Sequence, residues 1–276
     1  MDQKYHQSLL TTTTTLSSTT NRVQTTMQLL DHPIGNYRFF TGIAPYSAGV
    51  VAMPGYEVIR VTLHEPIPYR QGFDLIERHL TTLGRPRQAL CAIELRLPAP
   101  RSFTGFIDFN RDYRAILADW QILVGDHNPV ARTNIAPAFA PPTEPCMYAF
   151  SYTVPHATDR PTFIVAGAGD LNDQANLTPA AVVRPGETSA NALAEKAAMV
   201  MSVMEERLTG LQMSWDAVTA VTIYTVYPVR PLLVNGILHK IGPAAAHGVH
   251  WFYSHPPIAD LAFEMDVRGI RQELRI

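Results

Sequence analysis

The sequence predicts an α+β fold built from two tandem units, each running β-β-β-α-β-α-β-β, and three observations point to it. Strand-like alternation and helical spacing follow one another in the same order twice along the chain. Landmarks recur at a nearly constant offset: Gly42 and Gly167 are 125 positions apart, Asn110 and Asn235 are also 125 apart, and Leu90 and Val218 are 128 apart. A proline-bearing stretch over 154–161 separates the two runs as a linker would. The expected organisation is a tail over 1–30, an N-terminal unit over 31–154 and a C-terminal unit over 161–276.

The elements follow in order. Residues 11–20 read Thr-Thr-Thr-Thr-Thr-Leu-Ser-Ser-Thr-Thr, too polar to bury the apolar surface that would offset their ordering entropy, so 1–30 reads as a mobile tail. Strands are expected over 37–43, 49–53 and 56–63, each bounded by Gly or Pro. A helix over 69–83 follows from Phe73, Ile76, Leu80 and Leu83 at helical spacing, with Gly84 as its stop. A strand over 89–97, a helix over 106–120 carrying Phe109, Tyr113, Ile116 and Leu117, and strands over 131–138 and 147–154 complete the first unit. The second opens with strands over 163–168 and 181–183. A long helix over 187–208 places Leu193, Ala197, Val200, Met204 and Leu208 on one face. A β-branched strand over 217–227, a short helix over 232–239 and strands over 249–253 and 261–267 close it.

Composition narrows the function. Lys plus Arg total 22 against 24 for Asp plus Glu, a formal charge of −2, so no basic excess exists to neutralise a nucleic-acid backbone. Cys91 and Cys146 are the only cysteines, too few for a disulfide framework or a cysteine-rich zinc site. Apolar runs stop short of the roughly 18–20 residues needed to cross a bilayer, and the N-terminus lacks a basic-then-apolar signal pattern. The expectation is a cytoplasmic protein without membrane or nucleic-acid partners. Gly167 and Gly169 fall in no phosphate-binding pattern.

Several segments resemble the Rid/YjgF family, small αβ proteins that assemble as trimers and hydrolyse reactive imines and enamines. In the second half these are the strand end at Gly167, the long helix running into Leu211-x-x-Ser-Trp-Asp-Ala-Val, and the closing Phe263-Glu264-Met265-Asp266. In the first half they are Phe106-Ile107-Asp108-Phe109-Asn110-Arg111-Asp112-Tyr113 and Pro129-Val130-Ala131-Arg132-Thr133-Asn134-Ile135. The second of these is similar to the family strand whose arginine grips a substrate carboxylate. The tandem arrangement also resembles the chorismatases, hydrolases with two such folds in one chain. The resemblance implies a cofactor-independent hydrolase that deaminates the imine or enamine of a small unsaturated carboxylic acid of the aminomuconate type. The alternatives are a chorismatase-like hydrolase or lyase of a cyclic enol-ether acid, and a non-catalytic small-acid binding protein. A homotrimer is the implied assembly.

Candidate site residues divide between the halves. Arg132 offers a planar fork of donors suited to a carboxylate. Glu264, in an apolar strand, has the surroundings that raise a carboxyl's affinity for protons, which suits water positioning and proton exchange. The first half's last strand, Met147-Tyr148-Ala149-Phe150-Ser151, lacks the acid, and the second half's Ala246-His247-Gly248-Val249-His250 lacks the guanidinium. On the geometry the resemblance implies, the fused pair would bring Arg132 and Glu264 into one cleft between the units. His247, at or beside the arginine position, is the expected neutral donor. Tyr148 and Cys146 are the expected further substrate contacts. His247, His250 and His255 have no carboxylate at a ligand spacing, so no metal is expected.

Overall fold

The computed structural model describes residues 27–157 and 159–276. Most of the expected tail therefore lies outside the described residues. Its end does not behave as a tail, because Leu29 and Leu30 open strand β1 (Leu29–His32), paired antiparallel with β2 (Tyr37–Phe40).

The architecture is a mixed α+β fold around one twelve-stranded sheet. The first half contributes β3 (Gly49–Ala52), β4 (Tyr56–Pro68), α1 (Tyr69–Thr82), β5 (Leu90–Arg96), α2 (Phe103–Asp119), β6 (Ala131–Pro137) and β7 (Cys146–Pro155). The second contributes β8 (Phe163–Gly169), α3 (Ala190–Gly210), β9 (Ala220–Thr225), β10 (His250–His255), β11 (Glu264–Gly269) and β12 (Gln272–Arg275). Between β9 and β10 lies a broken helical run: α4 (Arg230–Leu232), a π turn (Leu233–Ile237) and α5 (Leu238–Ile241).

Local chemistry explains the helices. In α1 the buried Phe73, Ile76 and Leu80 form the inward stripe, and Gly84, at φ +64°, takes the left-handed turn just beyond its end. The side chains of Ser102 and Ser189 cap α2 and α3 by accepting from the backbone N–H groups of Gly105 and Ala192.

The topology repeats. Within the sheet the first half runs β6-β5-β7-β4 and the second β10-β9-β11-β8, with the same senses: β5 parallel to β6 as β9 is to β10, and the other pairs antiparallel. The halves meet edge to edge where β10 pairs β6 through Ser254↔Pro137 and His255↔Ala136.

The sheet also folds over itself. Although three strands lie between β6 and β8 in the sheet, the Gly167 N–H donates to Thr133 Oγ1 at 3.0 Å, and Ser47, beside β3, bridges Ala131. The inner faces thereby enclose a core of Tyr37, Phe39, Val50, Val58, Ala131 and Ala166. Separate cores lie under α1 and α2 and under α3.

Three expectations are corrected. The strands expected to open the first unit, β2 and β3, join the sheet through the second half instead: β3 pairs β8, and β2 pairs β3. Residues 181–183 form no strand; Pro179 sets a 3-10 turn over Pro179–Ala181, leaving one bridge, Leu171↔Val182. Strand β12 was not expected: its side chains are all exposed, and it is held by parallel backbone pairing to β4.

Candidate active site

Arg132 and Glu264 line the same pocket, a narrow slot of about 390 Å³ including its mouth. One wall is polar, with Arg132 and Asn134 from β6 and Glu264 at the start of β11; Gly167 and Gly169 of β8 form its floor. Apolar side chains, Phe106, Leu171, Leu177, Ile258 and Leu261, make up much of the remaining lining.

Arg132 is 3% exposed and points toward α2. Its guanidinium lies 4.6 Å from the ring centroid of Tyr113 and 4.9 Å from that of Tyr46, a cation–π setting that partly offsets the loss of water. Its Nη2 donates to Asn110 Oδ1 at 2.5 Å, and Asn134, with its amide turned oxygen-first, accepts from Nε at 3.2 Å. Among the described residues Nη1 has no partner, and neither has the buried Nδ2 of Asn110. Unpaired buried donors are costly, so these two are equipped to receive an anionic oxygen. Burial alone pushes the guanidinium below its ordinary pKa, while Glu264, Tyr46 and Tyr113 raise it.

Glu264 is 3% exposed. Burial first, then the charge of Asp266, holds its carboxyl well above the usual range; Asp170 adds to this, and Arg207 and Arg132 oppose it. Its position requires glycine at 167, because a Cβ there would overlap Oε1 and crowd Thr133. Arg207 of α3 fixes that backbone by donating to the carbonyls of Ala166 (2.8 Å) and Gly167 (3.1 Å). Asp170 fixes the other side. It pairs with Lys196 at 2.7 Å and accepts from the N–H groups of Ala262 and Phe263, immediately before Glu264.

A guanidinium with a free donor can hold a carboxylate, and a neutral buried carboxyl can give a proton to an adjacent carbon or nitrogen and then take one from water.

The other sequence-predicted residues are not brought to this pocket. His247 ends a 3-10 helix, Gly242–His247, and is exposed. The strand starts only at His250, because Gly248, at φ +77°, turns the chain first. Tyr148 is half-buried and faces another cluster: the Arg96 guanidinium sits 3.7 Å from its ring centroid. Cys146 is buried, its Sγ donates to the Glu144 carbonyl at 3.3 Å, and burial raises its thiol pKa. A second cavity, between α3 and the 230–241 run, is walled by Ala197, Met201, Leu232 and Ile237 with Lys240; none of the predicted residues lines it.

Strand register shows what became of the equivalent second cleft. The 3-10 turns Arg87–Ala89 and Trp215–Ala217 open β5 and β9, so Ile93 matches Val221 and Arg96 matches Tyr224. Arg132 pairs with Ile93; since His250 pairs with Thr222, Val249 lies beside Val221. Glu264 pairs with Tyr224, and Cys146 with Arg96. Val249, not His247, thus stands in the place of Arg132, and Cys146 in the place of Glu264.

Sequence reasoning missed the supporting groups Tyr46, Arg207, Asp170 and Lys196. Asn110 was visible as a landmark of the repeat and within the resembling segment 106–113, but not as a site residue.

This α+β fold sets an acid and a guanidinium from opposite halves in one small pocket. The family follows from comparison. The family described as 2-aminomuconate deaminase CnbZ matches residues 29–274. A 2-amino-5-chloromuconate deaminase of Comamonas testosteroni is 40% identical over 247 residues, spanning 87% of this chain and 95% of that protein. The chain belongs to the CnbZ 2-aminomuconate deaminase family, and its activity is of the deaminase type. Among solved structures, a chorismatase matches at a TM-score of 0.43 and 11% identity over 87% of this chain and 78% of that one.

Proposed function

We propose that the chain hydrolyses the enamine or imine of a small unsaturated carboxylic acid of the 2-aminomuconate type, without a cofactor, in the pocket shared by Arg132 and Glu264. The observation that supports this most is that a buried guanidinium donor with no partner among the described residues and a buried carboxyl held well above its usual range line one pocket from opposite halves of a chain in a deaminase family.

Arg132 Nη1, with Asn110 Nδ2 beside it, binds the carboxylate next to the amino-bearing carbon. Neutral Glu264 gives its proton to the conjugated carbon chain, converting the enamine to an iminium. The resulting Glu264 carboxylate takes a proton from water as the water oxygen bonds to the iminium carbon. Transfer of that proton to the nitrogen lets the C–N bond break, releasing ammonia and a keto acid and leaving Glu264 ionised until it takes up the proton lost by the hydroxyl. One water is consumed for each ammonia released. The reaction resembles that of the Rid/YjgF family, and positioning with acid–base help suffices for a substrate that already hydrolyses in water.

Among the described residues no helix is long and apolar enough to cross a membrane. The homotrimer remains a proposal. The inner sheet face is already covered within the chain, so the motive left for assembly is an exposed aromatic patch of Phe139, Trp251 and Tyr253 at the β6–β10 junction.

Steady-state release of ammonia and keto acid from 2-aminomuconate, in equal amounts, tests the reading. Pyruvate release from a cyclic enol-ether acid would point to the chorismatase-like alternative, and binding without turnover to a binding protein.

A further inference from the structure

We propose that Asp266, a buried acid the mechanism above does not use, is a positioning residue that keeps Glu264 in its neutral, proton-donating form. The inference rests on the reading of Glu264 as the acid.

The placement is geometric. Residues 264 and 266 alternate onto one face of β11, and both are buried, at 3% and 4% exposure. Across the ladder they face Tyr224 and Thr222 of β9. Tyr224 donates its hydroxyl to Asp266 Oδ2 at 2.7 Å, and Thr133 is a second side-chain hydrogen-bond partner. Thr133 also packs against the Gly167 backbone under Glu264, so one side chain of β6 touches the surroundings of both acids. Two buried carboxyls two residues apart on one strand face influence each other's ionisation, and Asp266 is the foremost charge acting on Glu264.

The charges around the pair are asymmetric. Glu264 is faced by Arg132 from β6, Arg207 from α3, Tyr46 from the segment before β3, and Asp170, which Lys196 neutralises. Asp266 is faced by Glu94 from β5, by Arg268 on its own strand, with 3.7 Å between Nη1 and Oδ1, and by the Tyr224 and Thr133 hydroxyls. Glu94 is itself gripped by Arg60 at 2.6 Å and stays anionic. Burial and then the charge of Glu94 raise the Asp266 carboxyl above its usual range too, but Arg268 and the Tyr224 and Thr133 hydroxyls oppose that rise. Glu264 has no hydrogen-bond donor among the described side chains, and of the two it is the one left holding the proton.

The test is the pH dependence of kcat/KM on 2-aminomuconate. A reaction that needs neutral Glu264 declines as pH rises through that group's ionisation. Removing the like charge with Asp266→Asn should move this alkaline limb to lower pH by about half a unit or more with the plateau retained. A lowered plateau with the limb unmoved would overturn the proposal and leave Asp266 a structural residue. Glu264→Gln separates the two ideas: loss of turnover keeps the proposed function, and wild-type turnover removes it whatever Asp266 does. Should Asp266→Asn not fold, carboxyl titration of the 13C-labelled wild-type chain decides. Linked two-step curves for Glu264 and Asp266 support the pair, and two independent single steps overturn it.

Discussion

The carboxyl group of Glu264 lies over the backbone of Gly167, so close that a methyl group at 167 would overlap its Oε1. The two residues sit on neighbouring strands, β11 and β8, and Arg207 clamps the carbonyl of that same glycine. Gly167 has no positive φ, so alanine is allowed by the backbone and opposed by the acid above it, with Thr133 crowded as well. Gly167→Ala should fold, displace Glu264 and lower kcat by roughly tenfold or more, with a smaller change in KM. Steady-state kinetics and a melting curve check both halves of that statement.

Arg132→Ala removes the only free guanidinium donor of the pocket. A lost hydrogen bond to a charged group is worth about 1.5–3 kcal/mol, so binding of a carboxylate inhibitor should weaken by roughly tenfold to a hundredfold. Arg132→Lys should recover little, because an ammonium cannot serve Asn110, Asn134 and a carboxylate from one plane. Calorimetry with a muconate-type acid gives the comparison.

Glu264→Gln should lower turnover by about a hundredfold or more and, above mildly acidic pH, stabilise the fold. Burial and the charge of Asp266 hold the Glu264 carboxyl well above the usual range in the folded chain, whereas in the unfolded chain it ionises near 4.5. Its contribution to stability is therefore present below that value and lost as pH rises toward the folded-state value. Glutamine is neutral throughout, so the gain in Tm over wild type should grow with pH from about 5 upward.

Lys196→Met leaves Asp170 buried without its cation. Breaking a buried pair by removing one partner costs about 3–5 kcal/mol, and Asp170 also holds the chain that leads into Glu264. Denaturant unfolding should show this loss. Cys146→Ser should leave activity within about twofold, since its thiol is outside the pocket and its protonated form is favoured.

Much of this was legible in the sequence because it is periodic. The stripes of α1, α2 and α3 and the β-branched run of β9 fix their own elements. The joining of Arg132 and Glu264 was reasoned from the complementary gaps of the two halves, although the residues standing at those gaps are Val249 and Cys146. His247 was set against Arg132 by local likeness, but the ladder puts Val249 there, because Gly248 spends a residue on a turn before β10 starts. Strand β12 escaped notice because it buries no face; its ties are backbone pairing to β4 and the pairs of Glu273 with Arg60 and Arg268. Arg207 and Lys196 sit on a helix whose spacing reads as ordinary amphipathicity. Their partners, Gly167 and Asp170, are 40 and 26 positions away, and only the tertiary fold brings them together.

The central claim is that one pocket, assembled from both halves, receives the substrate. The most direct measurement is a crystal structure of the chain soaked with a muconate-type dicarboxylate. The account predicts a carboxylate on Arg132 Nη1 within reach of Asn110 Nδ2, the carbon chain against Ile258 and Leu261, and the Glu264 carboxyl beside the carbon that would bear nitrogen. A ligand bound instead beside Tyr148 and Cys146, or in the cavity between α3 and the 230–241 run, with the Arg132 pocket empty, would contradict it.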